Sequence, residues 1–149
     1  GENISTPDLD ENDVRIGDIW RLGTARLQLC QPRNPCWKID ERFASDGMAA
    51  FIAEHRLTGW YWRVLAPGRV EPGDCLELLQ AAENSFTLAE AMLLDQTHRP
   101  ALSDLEKLAA SPGIAKNWQQ KITTRLDWLR KNLATPSIAP AFHVKPENR

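Results

Sequence analysis

The sequence predicts an α+β protein, in which a small β-barrel or sandwich is followed by a three-helix bundle. Up to about Leu79, short segments with strand-like patterns alternate with glycine and proline turns. Beyond that point, apolar residues recur at helical spacing as far as about Leu133. This change predicts a β domain over residues 1–80, a helical domain over 85–133 and a disordered tail over 134–149. With 149 residues, 42% of them hydrophobic, the chain is long enough to bury a core.

Two strands joined by a tight turn are predicted near the start of the chain. Residues 19–22 form the first strand. Residues 25–31 form the second, because Ala25, Leu27 and Leu29 alternate with the side chains of the opposite face. Gly23-Thr24 lies between the two strands and predicts a β-hairpin. Further strands are predicted at residues 60–65 and 75–79.

One helix is predicted between the strands, and three more follow them. The first covers residues 48–55, where apolar side chains recur three and four residues apart. The candidate N-terminal residues of the four helices are, in order, Ser45 or Asp46, Thr87 with Glu90, Ser103 with Glu106, and Ser111 followed by Pro112. The last helix carries an apolar stripe formed by Ile114, Trp118, Ile122, Leu126, Leu129 and Leu133.

Charge and composition argue against several classes of function. The net charge of −2 argues against a general nucleic-acid-binding protein, which is usually basic. No apolar run is long enough to span a bilayer, and no signal peptide opens the chain, so no membrane partner is expected. The three cysteines form no CxxC pair, which argues against a disulfide framework and a structural zinc site. We therefore expect a reduced, cytoplasmic protein.

Cys36 is the strongest candidate for a reactive residue. Pro32 and Pro35 lack a backbone N–H, so the strand should end there and leave Cys36 in a rigid loop. Arg33 and Lys38 can place positive charge near the sulfur and favour the thiolate, which is the form that attacks or binds metal. The alternative is a buried structural thiol. Both other cysteines, Cys30 and Cys75, are expected to be inert packing residues.

Three other residues have more than one interpretation. Arg63 lies in an otherwise apolar strand, so it needs an anionic partner such as a phosphate if it faces inward. On the polar face of the strand it would be a surface residue. Asn3 follows Gly1-Glu2 and could belong to a binding loop or to a simple turn. His55 is expected to be a core or rim residue of its helix rather than a catalyst.

Several motifs, taken in chain order, resemble the MOSC domain family. They are Gly1-Glu2-Asn3-Ile4, Ile16-Gly17-Asp18, Gln31-Pro32-Arg33-Asn34-Pro35-Cys36-Trp37-Lys38, Gly59-Trp60-Tyr61-Trp62-Arg63-Val64-Leu65, Pro67-Gly68 and Gly73-Asp74. The helical second half is similar to the three-helix appendix of the YiiM-type subgroup. The resemblance covers about residues 1–133. It implies a MOSC-type β-barrel that is only partial in this chain.

The resemblance also implies a cofactor and an activity. Family members bind a molybdenum-pterin cofactor, Mo-molybdopterin, and the cysteine of the Pro-Cys motif, here Cys36, is the implied thiolate ligand of molybdenum. Asn3, Arg33 and Arg63 would hold the pterin and its phosphate, and Lys38 would tune Cys36. YiiM-type proteins reduce N-hydroxylated bases and related N-oxygenated small molecules. A flavin-containing reductase would supply the electrons.

Two alternatives to this activity remain open from the sequence. The family also includes molybdenum-cofactor sulfurase domains, so Cys36 could carry a persulfide in sulfur transfer. The chain could also be a non-catalytic cofactor carrier. In the family, the barrel begins before the Gly-Glu-Asn segment, with a half that carries a His-Gly-Gly motif. We therefore expect the N-terminal half of the barrel to be absent from this chain.

Overall fold

A computed structural model describes residues 3–133 and confirms the α+β class. The predicted tail over 134–149 lies outside the described residues. No helix in the described part is long and apolar enough to cross a membrane. The elements, in chain order, are β1 Ile19–Leu22, β2 Ala25–Pro32, α1 Lys38–Phe43, α2 Met48–His55, β3 Trp60–Ala66, β4 Leu76–Gln80, α3 Leu88–Gln96, α4 Leu102–Ala109 and α5 Lys116–Leu133.

The four strands form one antiparallel sheet in the order β3-β2-β1-β4. The predicted hairpin is confirmed, since Leu22 pairs with Ala25 across the Gly23-Thr24 turn. Gly23 has a φ of +56°, which a glycine adopts readily at the first central position of such a turn. Strand β2 ends at the prolines as predicted, one residue beyond the predicted range 25–31. Pro32 is its last residue and pairs with Trp60 at one end of the ladder, where a missing N–H costs little.

The two faces of the sheet differ sharply in polarity. Alternation along β1 and β2 places five buried apolar side chains on one face, namely Trp20, Leu22, Ala25, Leu27 and Leu29. Arg21, Arg26 and Gln28 lie on the opposite face, where Arg63 pairs with Gln28 and Glu77 forms an ion pair with Arg21. This clear division indicates which face of the sheet belongs to the core.

A single buried cluster contains residues from the sheet and from the helices. It includes Trp20 and Leu29 from the strands together with Leu88, Leu105 and Ile122 from α3, α4 and α5. Helices α3, α4 and α5 therefore pack on the apolar side of the sheet at Trp20 and Leu29, and Leu22, Ala25 and Leu27 form a second, smaller cluster. The division into independent domains over 1–80 and 85–133 stays a prediction.

The predicted start of α3 is confirmed, whereas the predicted start of α5 is wrong. The Thr87 hydroxyl accepts the Glu90 N–H, and the Glu90 carboxylate accepts the Thr87 N–H, which completes a capping box. The last helix begins at Lys116 rather than at Ser111 and Pro112. Gly113 has a φ of +66°, so the Pro112-Gly113 step forms a turn that no right-handed helix can include.

Two further predictions of helix starts are wrong. Helix α4 begins at Leu102 with Ala101 as its N-cap, so Ser103 lies inside the first turn and caps nothing. Helix α2 has Gly47 as its N-cap instead of Ser45 or Asp46. The Ala49 N–H near the start of α2 donates to the Asp40 carboxylate of α1 at 2.7 Å, so a side chain from another helix replaces the local cap. Helix α1, which is only six residues long, was not predicted from the sequence.

The loop between β3 and β4 packs tightly against the tip of the hairpin. The Thr24 N–H donates to the Arg69 carbonyl at 3.0 Å, and the Arg69 N–H donates to the Thr24 hydroxyl at 2.8 Å. A Cβ atom added at Gly68 would lie 2.3 Å from the backbone of both Thr24 and Ala25. Backbone atoms cannot rotate away, so glycine is required at this close approach.

We expect Gly68→Ala to lower the free energy of unfolding by about 1–3 kcal/mol, the usual cost of forcing extra atoms into a packed contact. Urea denaturation followed by tryptophan fluorescence would measure it. Pro67→Ala is the control, because the Pro67 side chain is exposed and its loss should cost less than about 1 kcal/mol. Equal losses in the two variants would contradict the steric explanation.

Candidate functional site

Cys36 lies in a short loop that connects β2 to α1 and is held at both ends. At its start, the Arg33 N–H donates to the Gly59 carbonyl at 3.0 Å. At its end, the Cys36 carbonyl accepts the Ile39 N–H at 2.9 Å as the chain enters α1. Pro35 restricts the backbone between these two anchors. The loop therefore displays Cys36 from a defined backbone position.

The Cys36 thiol is exposed, so the alternative of a buried structural thiol is wrong. Its sulfur makes no hydrogen bond within residues 3–133. Trp37 next to it has 60% of its surface exposed. An exposed thiol without a hydrogen-bond partner can reach a ligand from solvent, which a packed cysteine cannot do.

Two cations lie in the same loop or at its border. Arg33 is half-buried and Lys38 is exposed. Neither side chain takes part in an ion pair or hydrogen bond within the described part of the chain. Their charges are therefore available to an anionic ligand. Asn3 is exposed near the start of the described chain, and within residues 3–133 no hydrogen bond joins its side chain to the Cys36 loop.

Arg63 lies on the polar face of the sheet and contacts protein groups. Its Nη1 donates to the Gly113 carbonyl at 2.8 Å and to the Gln28 side-chain oxygen at 3.2 Å. These bonds join β3 and β2 to the turn before α5. The guanidinium is half-buried without an anionic partner in residues 3–133, and its Nη1 donates to carbonyl oxygens instead. Its role in cofactor binding stays a prediction.

The two other cysteines differ from each other. Cys30 is buried, and its thiol donates to the Tyr61 carbonyl at 3.2 Å, so its predicted packing role is confirmed. Burial raises the pKa of the Cys30 thiol above its usual range, against a smaller opposing effect of the positive charge on Arg63. Cys75 is exposed and precedes β4, so the prediction that it packs within a strand is wrong.

His55 is exposed rather than part of a core. Its ring stacks on Phe51 with the centroids 4.0 Å apart, and Nδ1 lies 2.9 Å from the Phe51 carbonyl. No three metal-binding side chains of His, Cys, Asp or Glu come together within residues 3–133. A metal at Cys36 would therefore need further ligand atoms from a cofactor, and an exposed soft thiolate donor fits that requirement.

Two grooves of the described part of the chain are lined by residues outside the Cys36 loop. One of about 600 Å³ runs along α5 and is lined by Lys121, Arg125 and Trp128 among others. Another of about 510 Å³ lies beside the C-terminal end of α4 and includes Lys107 and Ser111. Trp128 is 58% exposed and forms part of the wall of the groove along α5.

The Cys36 loop and its sheet match a known family. The model of the MOSC domain matches residues 1–77, which is half of the chain, and the chain therefore belongs to the MOSC domain family. This family is associated with the molybdenum cofactor. Within it, the chain is of the YiiM type, because both its sequence and its fold are similar to those of YiiM proteins.

Three comparisons support this placement. The chain is 35% identical over 126 residues to protein YiiM of Escherichia coli, and the match covers 84% of this chain and 55% of that protein. The crystal structure of YiiM from Geobacillus stearothermophilus superposes with a TM-score of 0.77 at 30% identity, covering 80% of this chain and 61% of that one. A protein named reductase from Gibberella moniliformis is 36% identical over 113 residues, which cover 75% of this chain and 20% of that protein. The chain thus spans little more than half the length of the YiiM proteins.

Sequence reasoning missed a residue that holds the loop. The Gly59 N–H donates to the buried carboxylate of Glu11 at 2.8 Å, and the Gly59 carbonyl accepts the Arg33 N–H. Glu11 stands in an acidic stretch that is typical of an exposed loop, and no local pattern distinguishes it from its neighbours.

Proposed function

We propose that this chain is the cofactor-binding part of a molybdenum-dependent oxidoreductase that reduces N-hydroxylated bases or related N-oxygenated small molecules. The observation that carries the proposal is the exposed Cys36 thiol, presented by a loop that is anchored at both ends. Membership of the MOSC family and similarity to a protein named reductase support it. A flavin-containing reductase is the proposed electron donor.

Each predicted site residue has a part in this proposal. The Cys36 thiolate would bind molybdenum, because a soft sulfur donor suits this metal. Arg33, whose guanidinium has no partner in residues 3–133, would bind the phosphate of the pterin, and the Asn3 amide would hydrogen-bond the pterin itself. Lys38 would favour the ionised thiol. Arg63 would contribute only through donors other than Nη1, which is already used by Gly113 and Gln28.

When bound, the molybdenum cofactor would supply the two electrons of the reduction and a site for the oxygen atom removed from the substrate, and the flavin-containing reductase would replace those electrons. The protein would supply binding and orientation. The two anchors of the loop fix the position of its backbone, and the cations at Arg33 and Lys38 would attract an anionic cofactor. Trp37, which is exposed beside Cys36, would offer an aromatic surface to a flat substrate base.

Replacing Cys36 with serine tests the proposal directly. In protein purified with its cofactor, we expect Cys36→Ser to lower bound molybdenum and reductase activity at least about tenfold, because a hydroxyl replaces the only proposed protein ligand. Molybdenum per protein would be measured by mass spectrometry, and activity with an N-hydroxylated base. Cys75→Ser is the matched control, since Cys75 is also an exposed thiol but lies outside the loop. Unchanged metal and activity in Cys36→Ser would refute the proposal.

The exposure of Cys36 also favours a second candidate, a persulfide carrier in sulfur transfer. An accessible thiol suits this role as well as it suits metal binding. Mass spectrometry of the intact protein separates the two. An extra sulfur on Cys36 in protein free of molybdenum would favour the carrier, and stoichiometric molybdenum would favour the oxidoreductase. Tight cofactor binding without turnover would instead indicate a non-catalytic carrier.

A further inference from the structure

Glu11 is a buried carboxylate within an acidic, mostly exposed segment. Asp10, Asn12 and Asp13 around it are exposed, whereas only 8% of the Glu11 surface is accessible. Glutamate is rarely buried to this degree without a specific partner, because the ionised group loses its hydration. Its burial therefore requires an explanation in terms of what the carboxylate binds.

The partner of the Glu11 carboxylate is the backbone of Gly59. Glu11 Oε1 accepts the Gly59 N–H at 2.8 Å. Glu11 is itself held in place, because its backbone carbonyl accepts the Ala89 N–H at 2.8 Å near the start of α3. A hydrogen bond to a carboxylate is about twice as strong as one between neutral groups. Glu11 therefore fixes the Gly59 peptide relative to α3.

The other side of Gly59 faces the Cys36 loop. The Gly59 carbonyl accepts the Arg33 N–H at 3.0 Å and also the Thr58 hydroxyl at 2.9 Å. Gly59 has a φ of +65°, which is one of several backbone conformations open to glycine. Hydrogen bonds from neighbouring residues are therefore needed to hold Gly59 in this single conformation. A continuous chain of hydrogen bonds thus runs from Glu11 through Gly59 to Arg33, three residues before Cys36.

We propose that Glu11 is a positioning residue for Cys36, acting through Gly59 and Arg33. This inference rests on the proposed function, in which the Cys36 sulfur and the Arg33 guanidinium bind the same cofactor. The carboxylate orients the Gly59 peptide, the carbonyl of Gly59 anchors the start of the loop, and the loop then presents both groups together. The hydrogen bond of the Glu11 side chain goes to Gly59, and within residues 3–133 none goes to the Cys36 sulfur.

Amide hydrogen exchange of the full chain, free of cofactor, tests the anchor itself. In Glu11→Ala we expect the Gly59 and Arg33 amides to exchange at least about tenfold faster than in the parent, beyond any change common to the whole core. Glu11→Gln should restore both rates to within about threefold, because its side-chain oxygen can still accept the Gly59 N–H. If Glu11→Ala does not fold, Glu11→Asp carries the test, since its shorter side chain should also release both amides.

The matched control is Asp18→Ala, which removes another buried carboxylate that accepts backbone N–H groups but has no bond to the loop. It should leave the Arg33 rate unchanged relative to the core. Unchanged Gly59 and Arg33 exchange in the Glu11 variants would overturn the inference, as would equal acceleration in Asp18→Ala.

Molybdenum content supplies the functional readout. We expect Glu11→Ala to retain at least about threefold less molybdenum than the parent and Glu11→Gln to recover it, because rescue follows the hydrogen bond rather than the charge. Full retention in Glu11→Ala would overturn the positioning role. If the parent and Cys36→Ser bind the same amount of metal, the proposed function fails, whereas the exchange rates still decide whether Glu11 holds the loop.

Discussion

Replacing Asp18 with alanine is expected to lower the free energy of unfolding by about 3–5 kcal/mol, because two charge-assisted hydrogen bonds are lost at a buried position. Only 2% of the Asp18 surface is exposed. Its Oδ2 accepts the Arg15 N–H at 2.8 Å, and its Oδ1 accepts the Ala82 N–H at 2.7 Å. The alanine variant would leave both backbone donors without their partner, next to the start of β1.

Chemical denaturation of two further variants makes this prediction specific. Asp8→Ala removes an exposed carboxylate of the same segment and should change stability by less than about 0.5 kcal/mol. Asp18→Asn keeps the shape of the side chain but can accept hydrogen bonds through one oxygen only. The decrease in its free energy of unfolding should therefore lie between those of Asp8→Ala and Asp18→Ala. A loss below about 1 kcal/mol in Asp18→Ala would show that water replaces the carboxylate.

Leu29→Ala is expected to cost about 2–5 kcal/mol and to weaken the helices as much as the sheet. Leu29 is fully buried on β2, in the cluster that also holds side chains of α3, α4 and α5. A cavity beneath the helices removes contacts from both layers at once. Helical circular dichroism and tryptophan fluorescence should therefore show one shared transition at lower denaturant concentration.

Leu93→Ala is the control for this cavity, because Leu93 lies on α3 with 53% of its surface exposed. It should cost well under 1 kcal/mol. If Leu29→Ala shifted only the fluorescence transition and left the helical signal in place, residues 85–133 would unfold independently. That outcome would support the predicted division into two domains and refute a single cooperative core.

Local interactions explain which elements could be predicted from the sequence. The hairpin depends on Gly23-Thr24 and on the alternation of its own strands, and the start of α3 depends on Thr87 and Glu90. In both cases the residues that decide the structure are within a few positions of each other. The hairpin and the start of α3 could therefore be predicted from the local sequence alone, and the structure confirms both.

The wrongly predicted helix starts are those that depend on residues outside the local sequence pattern. Ser111 and Pro112 are good starting residues for a helix, but the Gly113 carbonyl is engaged by Arg63 and the Ala115 N–H by the Cys30 carbonyl, so α5 begins later. The start of α2 likewise depends on Asp40 of the preceding helix. Such partners are far away in sequence, and no local pattern reveals them.

The candidate site shows the same division. The two prolines predicted that Cys36 lies in a loop after β2, and the structure has the thiol exposed in that loop. The contacts of Arg63 and the burial of Glu11 were not predictable, because both depend on which segments the fold brings together. Whether Asn3, Arg33, Lys38 and Arg63 bind a cofactor stays a prediction.

The outer strands of the sheet have a practical consequence for handling this chain. Within residues 3–133, β3 and β4 each pair with one neighbour, and they carry exposed apolar side chains such as Val64 and Leu78. Backbone groups on the free side of each strand can accept a strand from another molecule. Self-association should therefore grow with protein concentration, and dilute samples are the appropriate choice for the denaturation and exchange measurements.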